Sequence, residues 1–259
     1  MSFPNVYYGD FGDEKDVAAS AIGGMPLGQK MILPDGREFV QCKQGATTGV
    51  AGKLFVQEAA VADHGNVAGS ALAVAVSAAI GATTVVITAG GTTVIAADEY
   101  AGGYLNITAG TVGFGHLYRI KANAAASLGI TCTVTLEPKD GLAVALVASS
   151  SLVSFRVSPF KNLVLKAGNS TLVGAIAGVP PVAIPANYFG WVQRIGVASV
   201  FQAATATSIG NFVCASSTDA GAVSTLLAAA TTLYDHFIIG QTIGASDASK
   251  FAPTMLMIN

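Results

Sequence analysis

The sequence predicts an all-β protein, built of β-sandwich or β-barrel modules with one or two short helices and an extended N-terminal arm. Three observations support this fold class. Short segments alternate hydrophobic and polar residues, turns rich in Gly, Pro and Asp separate them at spacings of about ten residues, and helical periodicity is scarce. The chain has 259 residues, 52% of them hydrophobic, which is enough to bury a substantial core.

Residues 1–25 are predicted to form the arm, which would attach to a neighbouring molecule. The segment has no steady periodicity and is too short to build its own core, but it is rich in the aromatic side chains that anchor protein interfaces. The candidate contact residues are therefore Phe3, Tyr7, Tyr8 and Phe11. Acids at positions 10, 13, 14 and 16 would then meet a basic patch on the partner. The alternative is a terminal strand that folds back on the sheet of its own chain.

Residues 26–65 are predicted to form a segment that contains a β-hairpin. Its strands are Lys30–Leu33 and Arg37–Cys42, and its turn is Pro34-Asp35-Gly36. Proline presets φ for such a turn, aspartate hydrogen-bonds the nearby backbone, and glycine takes the left-handed position. Gly36 is therefore expected to have a positive φ.

Residues 66–158 are predicted to form a β-domain. Its predicted strands are Thr84–Thr88, Tyr104–Thr108, Leu117–Lys121 and Thr131–Glu137. Short strands at regular spacing, separated by turn sequences, are typical of a sandwich or a barrel. The Ala-rich stretch 67–80 is predicted to be a short helix, because alanine has the highest helix propensity.

Residues 159–259 are predicted to form a C-terminal β-domain of the same kind. Its predicted strands are Asn162–Lys166, Gly190–Ile195, Phe237–Gly240 and Met255–Ile258. The Ala-rich stretch 220–230 is predicted to be a second short helix on the same propensity argument.

Charged residues are scarce, at 11% of the chain against roughly 25% in an ordinary soluble domain. Nearly half of them lie in residues 1–65, and long uncharged stretches follow at 64–97, 141–155, 167–193 and 195–218. So little surface charge predicts burial against copies of the same chain or against another protein. The net charge of −2 excludes a dedicated nucleic-acid binder, which needs an excess of Lys and Arg.

Neither a membrane span nor a secretory signal is predicted. The uncharged stretch 64–97 is rich in Gly and Thr and has no flanking Lys or Arg, and residues 1–20 are acidic without a basic start. The cysteines are odd in number and far apart, which favours free thiols and synthesis in a reducing compartment. They are Cys42, Cys132 and Cys214.

Catalytic motifs are not found, so no catalytic residue, cofactor or metal is predicted. Gly45–Leu54 resembles a phosphate-binding loop but has Thr47 and Leu54 where that loop needs a glycine and a hydroxyl. The histidines lack the spacing of a metal site or a catalytic dyad, and they are His64, His116 and His236. Asp98 and Glu99 are adjacent acids, and the favoured interpretation is a pair of solvated turn residues.

Short motifs follow one another along residues 26 to 259. They are Pro34–Phe39, Tyr100–Leu105 with Tyr118–Ile120, Pro185–Tyr188 with Gly190–Gln193, and Ile239–Gly244 before Asp247. In this order they resemble virion structural proteins of tailed bacteriophages, and most closely the head decoration (cement) and other capsid-associated proteins.

This resemblance implies a function without catalysis: the protein would bind and stabilise the shell of the major capsid protein. It implies the major capsid protein and further copies of the same chain as partners, with a homotrimer as the expected oligomer. Nucleic acid and membrane are not expected partners. The expected location is the capsid surface of the virion, after synthesis in the host cytoplasm.

Two alternatives remain open at this point. A tail or head fibre, or adhesin, would bind host-surface glycans by stacking Trp191 and the tyrosines on sugars, although such aromatics more often pack in a core. A carbohydrate-active enzyme of the virion would use Asp98 or Glu99.

Overall fold

The computed structural model describes residues 6–65, 71–110, 114–168, 172–204, 207–226 and 237–258. Within these ranges the regular secondary structure consists of β-strands and short 3₁₀ turns, which confirms the predicted all-β class. The strands are β1 Val6–Tyr8, β2 Lys30–Ile32, β3 Glu38–Lys43, β4 Phe55–Val56, β5 Leu72–Val76, β6 Thr84–Thr88, β7 Tyr104–Ala109, β8 Leu117–Asn123, β9 Thr131–Leu136, β10 Leu152–Arg156, β11 Val164–Leu165, β12 Ile176–Gly178, β13 Phe189–Phe201, β14 Phe212–Ala215, β15 Val223–Thr225, β16 Ile238–Thr242 and β17 Phe251–Met257. The 3₁₀ turns are Asp13–Lys15, Ile22–Gly24 and Ala62–His64.

The chain divides into two compact units. One, the sheet unit, combines Met1–Glu58 with Pro159–Asn259, and the other, the barrel unit, is Ala59–Ser158. The predicted β-domain 66–158 lies inside the barrel unit, whereas the predicted segment 26–65 and the predicted domain 159–259 both contribute to the sheet unit. In sequence, the barrel unit is therefore an insertion.

The barrel unit is a closed six-stranded barrel in the order β10-β5-β6-β9-β8-β7. Its neighbouring strands are antiparallel, and alternate residues point inwards as strand geometry requires. On β6, for example, Val85 and Ile87 are fully buried. Tyr100 stacks on Phe155 in the same core, with ring centroids 4.6 Å apart.

Neither predicted Ala-rich helix forms in the described residues. Most of 71–76 is strand β5, in which buried Leu72 and Val74 alternate with partly exposed Ala73 and Ala75. Pairing with β6 and β10 outweighs the intrinsic helix preference of alanine. In the other stretch, 223–225 forms β15, and 227–230 lies outside the described residues.

The sheet unit is built on an eight-stranded sheet in the order β1-β2-β3-β13-β17-β16-β14-β15. Strand β13 has 13 residues and joins the two parts of the unit. Its first half pairs with β3 and its second half with β17, both antiparallel. Clusters of buried aliphatic and aromatic side chains pack on this sheet and on the small sheet β11-β4-β12.

The hairpin predicted in residues 26–65 is confirmed. Strands β2 and β3 pair with Met31 opposite Phe39, and both side chains are fully buried. Gly36 has the expected positive φ of 81°. The Leu33 N–H donates to the Arg37 carbonyl oxygen at 3.0 Å, which closes the turn.

The described part of the predicted arm belongs to the sheet instead. Strand β1 runs parallel to β2, with Tyr7 opposite Met31, and Ala18 forms a bridge to Phe189 at the start of β13. Tyr7 packs against the buried cluster that contains Met31 and Trp191, so this segment finds its apolar partner within its own chain. The alternative of a terminal strand on the chain's own sheet is therefore correct for residues 6–8.

The insertion begins and ends at the small sheet of the sheet unit. Strands β4 and β11 are antiparallel, with Val56 opposite Val164. Just beyond them, the Asn162 side-chain amide donates to Glu58 Oε1 at 2.9 Å. The two points at which the chain leaves and re-enters the sheet unit are thus close together.

Candidate docking surface

The predicted contact residues have different surroundings. Phe3 lies outside the described residues. Tyr7 is half-buried, and its hydroxyl donates to Asp13 Oδ2 at 3.0 Å, so only part of its side chain is open to a partner. Tyr8 and Phe11 are 78% and 64% exposed, and both remain available to a partner.

A larger exposed apolar surface lies on the sheet unit, on the outward side of β13 and β17. We call it the β13–β17 face, and it consists of Val197, Ser199, Phe251, Pro253, Met255 and Met257. The register places Val197 opposite Met255 and Ser199 opposite Pro253. Along β17 exposed and buried residues alternate strictly, and Phe251 and Met255 are 49% and 39% exposed.

A row of uncharged side chains extends this surface onto the neighbouring strands. Gln241 of β16 lies opposite Met255, and Phe212 of β14 lies opposite Gln241, so these side chains form a row with Val197 across four strands. Phe212 is about half exposed. None of the outward residues in this row or on the β13–β17 face is charged.

A pocket of about 330 Å³ adjoins the β13–β17 face. Val197, Ser199 and Phe251 of the face line it, together with residues that include Arg37, Ala51 and Pro180. Gly52, with a φ of 71°, lies at this pocket, and a Cβ on it would approach Phe251 Cε1 to 2.6 Å. Glycine at this position therefore lets the loop pack closely against the phenylalanine ring.

Three of the aromatic side chains that a glycan-binding site could use are buried, whereas Tyr8 and Tyr188 are exposed. Trp191 is 2% exposed and packs with Met31 and Phe39. Tyr100 and Tyr118 are buried in the barrel core. Stacking on a sugar requires an exposed ring face, so these residues do not form such a platform.

Asp98 and Glu99 both accept hydrogen bonds from the backbone. Asp98 Oδ1 accepts from the Asn123 N–H at 3.3 Å, and Glu99 Oε2 accepts from the Ala96 N–H at 2.7 Å. Glu99 Oε1 also lies 3.6 Å from Nδ1 of the buried His64. This geometry suits acids that hold a turn against the barrel. Asp98 is exposed, as expected of a solvated turn residue, whereas the Glu99 side chain is only 22% exposed.

Reactive side chains are shielded in the described structure. Burial raises the pKa of the Cys42 thiol to about 12 and that of Cys132 to about 11, so both stay protonated and unreactive. Burial lowers the pKa of Lys166, whose ammonium donates to the Ser216 carbonyl oxygen. Among the described residues no group of three or more His, Cys, Asp or Glu side chains could hold a metal ion.

No protein-family model, no curated protein and no solved structure matches the chain. Across the ranges that the structure describes, no helix is long and apolar enough to cross a membrane. The function must therefore be inferred from the chain's own surface.

The β13–β17 face was missed in the sequence, although a signal for it exists. Residues 251–258 are apolar at nearly every position, whereas a strand with one solvated face alternates apolar and polar residues. A strand that is apolar on both faces is either covered on both sides or exposes an apolar surface. Here the structure shows that β17 exposes an apolar surface.

Proposed function

We propose that the protein is a structural protein of a tailed-bacteriophage virion, a head decoration (cement) protein that binds and stabilises the shell of the major capsid protein. The observation that carries this proposal is the uncharged, apolar β13–β17 face. A contiguous cluster of exposed apolar side chains is typical of a protein–protein interface, and aromatic and Met side chains are enriched at such interfaces.

The chemistry of the face suits a protein partner. Phe251 is 49% exposed and Met255 and Met257 are each 39% exposed, and covering such a side chain contributes on the order of 1 kcal/mol. The neighbouring pocket offers a concave site for a protruding side chain of the partner. Several such contacts, repeated over many copies on one particle, give stable attachment through avidity.

Stabilisation of a shell follows from binding that favours the assembled form. A protein that binds across several neighbouring capsid subunits lowers the free energy of the assembled shell. It does not lower the free energy of a separate subunit. In this proposal the protein is a homo-oligomer, and a trimer fits the local three-fold positions of an icosahedral shell. It is made in the host cytoplasm, where its buried thiols stay reduced.

The test is binding of the purified protein to expanded empty heads that lack it, measured by co-sedimentation. Met255→Glu places a charge in the centre of the β13–β17 face and should weaken binding about tenfold or more, because that charge would lose its water in the interface. Leu117→Glu is the matched control, since Leu117 is also about half exposed but lies on β8 of the barrel unit.

Each outcome decides a part of the proposal. Failure of the wild-type protein to bind heads overturns the decoration function, and specific binding to a glycan array would then favour the fibre alternative. Head binding by Met255→Glu at wild-type strength would show that the β13–β17 face is not the contact. Equal melting temperatures of both variants and the wild type serve as the folding control.

A further inference from the structure

A second pocket, separate from the β13–β17 face, lies where the N-terminal segment meets the sheet. We call it the acid-rimmed pocket, and its volume is about 290 Å³. Ligand sites for drug-sized molecules occupy about 300–1,000 Å³, so this pocket lies at the lower end of that range and has room for one long side chain. Its lining residues are Tyr7, Asp13, Asp16, Ile22, Gly23, Met25, Gln29 and Trp191.

Trp191, which lines the pocket, has a buried hydrogen-bond donor without an acceptor. Trp191 is 98% buried, since only 2% of its surface is exposed, and its Nε1–H has no partner among the described residues. A buried donor left unsatisfied costs on the order of 1–3 kcal/mol. An acceptor brought by a ligand would remove this cost.

The other notable feature is unbalanced negative charge. Asp13 and Asp16 line the pocket, and no basic side chain of the described residues lies within 4.0 Å of either carboxylate. The hydrogen bond from the Tyr7 hydroxyl to Asp13 raises the pKa of Tyr7, and burial and the charges of Asp13, Asp10 and Asp16 raise it further. Two carboxylates without an ion-pair partner among the described residues thus line the pocket.

We propose that the acid-rimmed pocket binds an arginine side chain of a partner protein, with the guanidinium paired to Asp13 and Asp16. The aliphatic stem packs on Met25 and Ile22, and a peptide carbonyl next to the arginine accepts the Trp191 Nε1–H. Arginine fits better than lysine because its planar guanidinium can bind two carboxylates at once and can stack on aromatic rings such as Tyr7.

The identity of the partner rests on the proposed function: the arginine would belong to the major capsid protein. Binding of an arginine side chain itself does not depend on that function. The two can therefore be tested apart, with a small probe for the pocket and with heads for the partner.

The probe is Nα-acetyl-arginine amide, which carries a guanidinium and peptide carbonyls. Trp191 is the single tryptophan of the chain, so its indole N–H gives one signal in a ¹H–¹⁵N NMR spectrum, and titration should shift that signal. The citrulline analogue has the same shape without the charge and should bind about tenfold more weakly, because the charge-assisted pairs are lost.

Two variants complete the test. Asp16→Asn removes one exposed carboxylate and should weaken binding of the arginine probe about threefold, as is typical of a solvent-exposed ion pair. Asp247→Asn removes the same charge from an exposed position of the sheet unit outside the pocket and should leave binding unchanged.

The outcomes separate the pocket from the function. No shift of the indole signal, or equal affinity for the arginine and citrulline probes, overturns the pocket proposal even where the protein binds heads. Selective binding of the arginine probe supports the pocket proposal even if the protein does not bind heads. In that case only the proposed decoration function is overturned. Weaker head binding by Asp16→Asn than by Asp247→Asn would support the capsid protein as the partner, and equal head binding would overturn that identification.

Discussion

Asp63 ties the start of the barrel unit to the loop after β6. Its Oδ2 accepts hydrogen bonds from the Thr92 and Thr93 backbone N–H groups at 2.7 and 2.9 Å, and the hydroxyl groups of both threonines also donate to it. These bonds, led by that from the Thr92 backbone, lower the pKa of Asp63. Gly91 is required beside it, since any Cβ there would overlap the carboxylate.

The lowered pKa of Asp63 predicts a pH dependence of stability. The folded-state pKa lies below the unfolded one, so the carboxylate stabilises the barrel above the unfolded value, and this contribution is lost as pH falls through the folded value. Between about pH 7 and about pH 2 the melting temperature should fall less in Asp63→Asn than in the wild type. Circular dichroism melts measure this. Asp247→Asn should behave as the wild type, and identical pH profiles for Asp63→Asn and the wild type would contradict the prediction.

Gly36 offers a second test at the level of one residue. Its φ of 81° disfavours side chains, but a Cβ there would have no neighbour within 4 Å, so any cost comes from the backbone alone. Gly36→Val should lower the free energy of unfolding by about 1–2 kcal/mol. Gly36→Asn should cost much less, because asparagine tolerates this conformation. Urea unfolding of both variants gives the values, and equal losses would rule out backbone strain as the cause.

At the level of elements, the N-terminal segment is part of the sheet. Besides β1, it contributes Glu14, a buried acid that accepts from the Gly12 N–H at 2.7 Å and lies 3.7 Å from the Arg37 guanidinium. The acids near the N-terminus therefore differ in role. Glu14 supports the fold, whereas Asp13 and Asp16 line a pocket.

Deletion of residues 2–16 should lower the stability of the sheet unit. The change removes β1, the buried part of Tyr7 and the Glu14 contacts, at a cost of about 2–4 kcal/mol. Thermal unfolding measures it, with Tyr8→Ala as the control that removes an exposed ring and should leave the melting temperature unchanged. A truncated protein with the wild-type melting temperature would restore the arm interpretation.

Strand positions were predictable where apolar and polar residues alternate, as in Thr131–Glu137 for β9. The prediction failed for β5, because alanines occupy its outward positions and hide the period-two pattern of Leu72 and Val74. The length of β13 was also missed. Gly196, with a φ of 91°, follows a shift in register between Gln193 and Ile195 and lets the strand continue to Phe201.

At the level of the whole molecule, the barrel unit has the features of an independently folding domain. Its strands close on one another without a free edge, and one cluster of buried side chains fills it. Residues 59–158 expressed alone should therefore unfold cooperatively on heating. Leu105→Ala in this fragment should cost about 2–5 kcal/mol, since Leu105 is fully buried. A fragment without a thermal transition would contradict domain independence.

The division of the chain into two units could not be read from the sequence. It depends on pairs that are distant along the chain, such as Gly190 with Cys42 in the sheet and Val153 with Leu72 in the barrel. Alternation within a strand shows which of its residues are buried, but it does not show which strands pair with that strand. The acid-rimmed pocket was missed for the same reason, since it combines residues from separate strands and loops, whereas the β13–β17 face left a signal in the apolar run of residues 251–258.

The junction between β4 and β11 has a practical consequence. Val56 lies opposite Val164, and Asn162 holds Glu58, so the sheet unit presents two adjacent chain ends at the site of the insertion. An unrelated domain with neighbouring termini could be spliced there in place of the barrel, and the strand order of the host sheet would be kept. The sheet unit would then serve as a carrier, and each copy would display one guest domain of the experimenter's choice.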